Sequence, residues 1–307
     1  MHHSENINPA PVCLFVYNRP EHTLKTLNSL KKCRLANKSR LYIFADGLKH
    51  GGSIDCILNI EKVRNIIKSE KWCESVEIIE SERNKGLAKS IIEGVTYVIN
   101  RYEKVIVLED DLELSEGFLE YMNNALNYYE NNEKVMHIAG FTPPLNFKLP
   151  ETYFFHVPTC WGWASWKRAW DHFNPSATQL LPLVKQKGLQ KFDIMHSVNY
   201  YRMLKKNSKG YVNSWFIRWY ASIYLLDGLC LHPGKSLVNN TGIDRSGVNS
   251  YRSNVFDQTT TQQVCISEIK YEIRKDVLRA YFRFNFKVKM VHLPEYIWRL
   301  LTNRIKT

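Results

Sequence analysis

Short apolar runs typical of buried strands alternate with helix-like stretches through the first 113 residues of this chain. The predicted strands are Val12–Tyr17, Leu41–Phe44, Val76–Ile79 and Val105–Leu108. The helices between them are predicted to begin near Pro20, Asp55 and Leu87, and Pro20 suits a first helical turn, where its missing N–H would be unpaired anyway. Elements that alternate at this spacing predict an α/β fold, with a mostly parallel, Rossmann-like central sheet flanked by helices.

Polar or charged residues directly follow three of these strands. Arg19 comes just after the first strand, Asp46 after the second, and Glu109–Asp111 after the fourth. Ligands of open α/β sheets bind outside the carboxyl ends of the strands, so these side chains are candidates for one site. Three adjacent carboxylates are costly unless a cation neutralises them, and their oxygens suit Mn²⁺ or Mg²⁺ bridging nucleotide phosphates. An acidic cluster at the start of a helix near Ser115 is the alternative.

The sequence has neither of the two familiar glycine-rich phosphate loops. It contains no G-x-x-x-x-G-K-[ST] motif and no G-x-G-x-x-G motif after the first strand. A bound diphosphate would therefore be held by a metal ion and cationic side chains rather than by backbone amides.

Seven segments together carry a family resemblance. They are Phe15–Pro20, Phe44–Gly47, Asn84–Ala88, Leu108–Glu113, Gly162–Trp170, Ser214–Trp219 and Asn239–Gly242. This layout, over roughly residues 10–255, resembles the GT-A glycosyltransferases. It is most similar to those like N-acetylglucosaminyltransferase I and to bacterial transferases of surface polysaccharide (O-antigen and capsule) assembly.

The resemblance implies roles for the acidic trio. Asp111 would coordinate the metal, Asp110 would support it at the bound donor, and Glu109 would lie near the donor sugar as a catalytic group.

The resemblance also places Arg19 and Asp46 against the uridine and ribose of the donor, and Lys89 at its diphosphate. Each residue has an ordinary alternative. Arg19 could be a surface arginine at the start of a helix, Asp46 a turn carboxylate before Gly47, and Lys89 a solvated helix residue.

A tryptophan-rich segment is the candidate for the acceptor side. Flat indole rings suit the C–H faces of pyranoses, which makes Trp161, Trp163 and Trp215 candidate sugar contacts. The alternative is a buried helix face, because Trp163, Trp166 and Trp170 fall at positions i, i+3 and i+7.

The general base is the point where the chain departs from the family pattern. An inverting transferase needs a group that removes the acceptor hydroxyl proton, but Trp215–Trp219 contains no acid. Asp244 is the alternative base, with Asp193 and Asp227 as further candidates. Asp244 lies in a loop with two glycines that resembles a mobile flap, where Arg245 would neutralise the leaving diphosphate; an ordinary surface turn is the other interpretation.

The C-terminal 38 residues are unusually basic. Residues 270–307 hold ten Lys or Arg residues and three acidic ones, within a chain of net charge +12. Interleaved aromatic residues favour peripheral contact with an anionic membrane, whereas the alternation from Phe282 to Met290 also fits a half-buried strand. Nucleic acid binding is the least favoured interpretation, and we expect none. The predicted organisation is a GT-A domain over 1–269, with a nucleotide-sugar half (10–113) and an acceptor half (114–269), followed by a basic amphipathic extension.

Cysteine usage and hydropathy indicate a cytoplasmic protein, peripheral to the inner face of the cell membrane. The seven cysteines form no C-x-x-C pair, which argues against a disulfide framework. No apolar run reaches the length of a membrane span, and the first residues lack a signal-peptide pattern.

The function expected from the sequence is metal-dependent transfer of a sugar from a UDP-sugar, such as UDP-GlcNAc or a related hexosamine, with inversion. The acceptor would be a hydroxyl of a glycan on a lipid carrier. A nucleotidylyltransferase acting on a sugar phosphate and a non-catalytic nucleotide-sugar binding protein remain the alternatives.

Overall fold

The computed structural model describes residues 8–243 and 254–303, and the side chains within those ranges except 254 and 292–303. Its ten strands are β1 Val12–Val16, β2 Arg40–Ala45, β3 Ser75–Glu80, β4 Lys104–Glu109, β5 Leu112–Leu114, β6 Val135–Ala139, β7 Thr152–Phe155, β8 Trp163–Trp166, β9 Leu229–Pro233 and β10 Val238–Asn240. Its ten α-helices are α1 Pro20–Lys32, α2 Ile54–Lys68, α3 Leu87–Tyr102, α4 Phe118–Tyr128, α5 Lys167–Trp170, α6 Ala177–Lys187, α7 Leu189–Phe192, α8 Tyr200–Ser208, α9 Trp215–Leu225 and α10 Lys275–Asn303. Short 3₁₀ turns lie at Ala36–Lys38 and Asn254–Phe256.

Eight strands form one central sheet in the order β3-β2-β1-β4-β8-β6-β9-β7. The first four are mutually parallel, as the alternating pattern predicts, and the α/β fold is confirmed. The second half is mixed, because β8 runs antiparallel to β4 and β6, and β7 antiparallel to β9. Strands β5 and β10 pair separately as a small antiparallel sheet, which lies directly after the acidic end of β4.

Close packing of helices on the sheet fixes where the strand ends lie. Strand β1 is buried along its whole length, and α3 lies against it through Gly94. A Cβ atom on Gly94 would lie 2.7 Å from the ring of Phe15, so the glycine permits the close approach. Burial of a Val, Leu or Phe side chain, such as those of β1, contributes roughly 1.5–3 kcal/mol to the free energy of unfolding.

Two local interpretations of the sequence are wrong. Trp163 and Trp166 belong to strand β8, not to a helix face shared with Trp170, because this segment is buried on both sides between β4 and β6. The stretch from Phe282 to Met290 is part of helix α10, not a strand. Its first turns pack on the domain through Val277 and Tyr281, which are buried.

None of the helices within the described residues is both long and apolar enough to span a bilayer.

Candidate functional site

The acidic segment is pinned at the carboxyl edge of the sheet by helix α1. The hydroxyl of Thr26 donates a hydrogen bond to the Asp110 carbonyl oxygen (2.9 Å) and accepts one from the Leu112 amide (3.1 Å). Strand β1 pairs with β4 up to the register Phe15–Glu109. The chain therefore turns sharply after β4, with its three carboxylates beside the end of β1.

Arg19, the residue before α1, bridges two of these carboxylates. Its guanidinium donates to Asp110 and, at 2.9 Å, to Oδ2 of Asp111. The three side chains retain 19% (Arg19), 7% (Asp110) and 14% (Asp111) of their exposure. This arrangement brings together three residues that the sequence singled out separately.

Three carboxylates facing one guanidinium leave an excess of negative charge. Burial raises the pKa of Asp110 to about 6, although Arg19 acts in the opposite direction. Burial, and then the charges of Asp111 and Asp110, raises the pKa of Glu109 well above its ordinary range. Cys160 lies close enough for the charges of Glu109 and Asp111 to add to the effect of burial in raising its thiol pKa.

The segment after β10 covers the acidic turn. The backbone amide and hydroxyl of Thr241 both donate to the Asp111 carbonyl oxygen, at 2.8 and 3.1 Å. A Cβ atom on Gly242 would collide with the Asp111 carboxylate and lie 2.9 Å from Nη1 of Arg19. The backbone at Gly242 therefore packs closely against Asp111 and Arg19. Asp244 and Arg245, which follow, lie outside the described residues.

Asp46 lies at the same edge of the sheet, but its carboxylate already accepts hydrogen bonds from other parts of the protein. Its carboxylate accepts from the side-chain amide of Asn84 (2.9 Å) and from the backbone amides of Lys85 (2.8 Å), Gly86 (2.9 Å) and Gly47 (2.9 Å). These bonds tie the turn before α3 to the end of β2. Contact with a donor ribose stays a prediction for this residue.

Lys89 lies on the exposed side of α3. Its side chain is 61% exposed and its ammonium lies 3.7 Å from Glu93. This is the geometry of a solvated helix residue, and a diphosphate contact stays a prediction.

The three candidate sugar-binding tryptophans have different surroundings. Trp163 is fully buried and stacks on His137 and on Trp215, with ring centroids 5.3 and 5.2 Å apart. Trp215 is also buried, at 3% exposure. Trp161 is only partly buried and packs edge-on against Phe141 at 4.3 Å. Of the three, Trp161 is the one placed near the surface.

The other candidate bases are engaged elsewhere. Asp193 accepts a hydrogen bond from the Tyr201 amide at 2.8 Å, and burial raises its pKa. Asp227 pairs with Lys187 (2.7 Å) and Lys191 (3.4 Å) on the surface. The described carboxylates at the acidic turn are therefore Glu109, Asp110 and Asp111.

The residues present fit a divalent cation that is shared with a bound nucleotide. The described part of the chain holds no group of three or more His, Cys, Asp or Glu side chains arranged to bind a metal alone. Mg²⁺ in nucleotide sites, however, takes one or two protein carboxylates and completes its shell with phosphates and water. Asp111 supplies such a carboxylate, and the excess negative charge beside it favours a cation.

Some residues that build the site carry no recognisable sequence signal. Thr26 is a mid-helix threonine, and only the fold brings its hydroxyl to the acidic turn. Cys160 likewise precedes the tryptophan segment without any motif. Gly242 belongs to a segment that the family resemblance includes, but its contact with Arg19 depends on the pairing of β5 with β10.

Comparison with known proteins finds likeness among solved structures only. No protein family and no curated protein matches the sequence. A mannosyltransferase from Pyrobaculum calidifontis, PcManGT in complex with GDP-Man and Mn²⁺, is 12% identical, with a TM-score of 0.42 over 72% of each chain. S. aureus TarS is 16% identical, with a TM-score of 0.30 over 47% of this chain and 23% of its own. A cytidylyltransferase from Leptospira borgpetersenii is 10% identical, with a TM-score of 0.34 over 60% of this chain and 70% of its own.

Proposed function

We propose that this protein is a divalent-metal-dependent glycosyltransferase that moves a sugar from a UDP-sugar to a hydroxyl of a glycan acceptor. The observation that carries the proposal is the Arg19–Asp110–Asp111 cluster, held at the carboxyl end of the parallel strands and covered by Gly242. A cation and carboxylates at this edge suit a nucleoside diphosphate and its metal. The expected donor is UDP-GlcNAc or a related hexosamine, with inversion at the transferred carbon.

Each residue of the cluster has a distinct task in this proposal. Asp111 would hold the metal ion, which when bound supplies positive charge to the leaving diphosphate. Asp110 orients the Arg19 guanidinium, which the family resemblance places at the uridine and ribose of the donor. Glu109 would lie beside the donor sugar, as the family resemblance implies. Asp244 is the proposed base for the acceptor hydroxyl, and Arg245 a second cation for the diphosphate.

The matched pair Asp111→Asn and Glu113→Gln tests the assignment. Glu113 lies two residues further on and is exposed, so its variant should behave like the wild type. Asp111→Asn should lower the rate of UDP release from the preferred UDP-sugar by about 100-fold or more, since a lost metal contact costs several kcal/mol. Equal rates for the two variants would remove Asp111 from the mechanism.

The same assay separates the two alternative functions. A nucleotidylyltransferase would instead release pyrophosphate from a nucleoside triphosphate and a sugar phosphate. A non-catalytic binding protein would bind UDP-sugar and release no UDP in the presence of any acceptor.

Helix α10 supports a membrane-borne acceptor in this proposal. Phe282, Phe286 and Met290 recur every four residues and are 37%, 57% and 52% exposed. Arg283 and Lys287 beside them are exposed too, and no acidic residue occurs from 277 to 294. Such a face suits an anionic bilayer, so the protein should bind vesicles rich in anionic lipid and lose that binding in the Arg283→Gln/Lys287→Gln variant. Undiminished vesicle binding by that variant would reject the membrane contact.

A further inference from the structure

A cavity of about 390 Å³ lies between helix α10 and the half of the domain that follows β6. Five aromatic side chains contribute to its lining: Phe141, Tyr200, Phe256, Tyr281 and Phe284. Lys289 supplies a positive charge there, and no acidic side chain is among the described residues that line the cavity. The carboxylate to be considered is that of Asp193, which precedes the lining residue Ile194 and interacts with the charge of Lys289. Apolar pockets of this size with a few placed polar groups are typical ligand sites.

One side of the cavity lies towards the acidic site. Phe141 and Phe256 line the cavity, and both contact Trp161 edge-on, at 4.3 and 5.4 Å. Thr159 also lines the cavity. The next residue is Cys160, whose thiol pKa is raised by burial and by the charges of Glu109 and Asp111. Cys160 and Trp161 therefore connect the lining of the cavity to the neighbourhood of the acidic turn.

Another wall of the cavity is a strained turn. Ile194, Met195 and His196 have φ angles of 47°, 53° and 60°, a conformation that is costly for a β-branched residue. Helix α10 holds this turn in place. Lys289 donates to the His196 carbonyl oxygen at 3.1 Å, and Asn285 donates to the Ser197 hydroxyl at 3.0 Å. A turn of this kind persists only where the surrounding structure requires it.

We propose that this cavity binds the apolar chain of an anionic amphiphile, with the anionic head beside Lys289. The aromatic lining suits a hydrocarbon chain, and the positive charge of Lys289, in a lining that contains no acidic side chain among the described residues, suits a phosphate head. Because Phe141 and Phe256 contact Trp161, a molecule bound in the cavity would lie close to the candidate acceptor side of the site. The inference names the class of acceptor and in that respect rests on the proposed function.

Binding of decyl phosphate to the full chain, below the concentration at which micelles form, tests the proposal. Calorimetry should detect decyl phosphate and show at least tenfold weaker binding of decanol and of inorganic phosphate. Val288→Trp, which fills the cavity, should weaken decyl phosphate binding at least tenfold. Lys289→Met should lower the affinity for decyl phosphate towards that for decanol while leaving decanol binding unchanged.

Phe286→Ser is the matched control, because Phe286 lies on the exposed face of the same helix. It should keep wild-type affinity for decyl phosphate; if it alone weakened binding, the amphiphile would be held on the outside of α10 and the proposal would be overturned. Wild-type affinity in both Val288→Trp and Lys289→Met would overturn it as well. If Val288→Trp misfolds, Lys289→Met decides the question, because Lys289 is exposed and its replacement buries no new side chain.

Nucleotide binding by the same variants separates this inference from the proposed function. Val288→Trp and Lys289→Met should bind UDP with Mn²⁺ as the wild type does. A wild-type protein that binds decyl phosphate but no nucleotide would reject the transferase proposal and leave the cavity assignment in place. A wild-type protein that binds UDP with Mn²⁺ but no decyl phosphate would reject only the assignment of the cavity to an amphiphile.

Discussion

The guanidinium of Arg19 lies 2.9 Å from the carboxylate of Asp111, the residue that we propose as the metal ligand. The same guanidinium also binds Asp110. A divalent cation that approaches Asp111 therefore meets a positive charge that belongs to the chain itself. Arg19 and the metal share one set of carboxylates, and the predictions for this site follow from that relationship.

Replacement of Arg19 by Gln should lower the free energy of unfolding by about 1–3 kcal/mol at pH 7. Asp110 would then remain buried without its charged partner. Mn²⁺ should raise the melting temperature of this variant more than that of the wild type, because the ion would replace the lost charge. Urea unfolding measures the first effect, and thermal unfolding with and without Mn²⁺ measures the second.

Arg34→Gln is the control for this variant. Arg34 pairs with Glu120 on the surface, where both side chains are more than 40% exposed, and such pairs contribute under about 1 kcal/mol. A stability loss in Arg34→Gln as large as that in Arg19→Gln would contradict the special role of the cluster.

Gly242→Ala should weaken nucleotide binding while the protein stays folded. The added methyl group would collide with Asp111 and approach Arg19 to 2.9 Å, which displaces the cluster. Gly51→Ala is a useful comparison, since nothing lies within 4 Å of its Cβ position and only its positive φ of 72° opposes the change. Gly51→Ala should cost about 1 kcal/mol of stability and leave nucleotide affinity intact. Calorimetry with UDP and Mn²⁺ distinguishes them, and equal affinities would refute the close packing at Gly242.

The tryptophans should separate into structural and surface classes. Trp163→Ala should lower the free energy of unfolding by about 3–5 kcal/mol, because the stack with His137 and Trp215 would lose its centre. Trp161→Ala should cost less stability and instead raise the KM for the acceptor more than it lowers kcat. Chemical denaturation and steady-state kinetics with both variants give the comparison. A larger KM effect from a folded Trp163 variant would place the sugar contact there instead.

The buried histidines should lower stability as the pH drops from about 6.5 to about 4, whereas Asp110 and Glu109, whose pKa values are raised in the folded state, act in the opposite direction. Burial lowers the pKa of both His156 and His232 to about 4 and that of His137 well below its ordinary value. Between these pH values the histidines of the unfolded chain bind protons that those of the folded chain do not. Their protonation by acid therefore favours unfolding, by up to about 3 kcal/mol each for His156 and His232. Above the histidine pKa of the unfolded chain, these histidines are neutral in both states and no longer change the stability with pH.

His156→Gln isolates one of these contributions. His156 bonds to the Lys191 carbonyl oxygen at 2.8 Å, a contact that glutamine can replace as a donor. Unfolding free energies at pH 7 and pH 4.5 should differ less in this variant than in the wild type. An identical pH dependence in both proteins would mean that His156 is already protonated or exposed in the folded state.

The sequence indicates the first half of the fold well because its signals there are local. Strands β1, β2 and β4 each contain a compact apolar run, and Pro20 marks the start of α1 where the helix begins. The parallel order of those strands follows from the helices between them. The acidic residues after β4 are visible for the same reason.

The rest depends on contacts between distant segments. Trp163, Trp166 and Trp170 have helical spacing, yet β8 pairs with β4 and β6, and pairing with remote strands is not encoded in local periodicity. Asp46 resembles a ligand-binding carboxylate in the sequence, but its bonds to the turn at Asn84–Gly86 require two strand ends to meet. The ion pair of Arg19 with Asp111 likewise joins residues 92 positions apart.

The most direct test of the proposed function is calorimetric titration of the intact protein with UDP, in the presence and absence of Mn²⁺, alongside the Asp111→Asn variant. We predict that UDP binds the wild type at least tenfold more tightly with Mn²⁺ than without it, and that Asp111→Asn abolishes this difference. Equal UDP affinity of the wild type with and without Mn²⁺, or an undiminished Mn²⁺ effect in the variant, would contradict a nucleotide–metal site at Asp111.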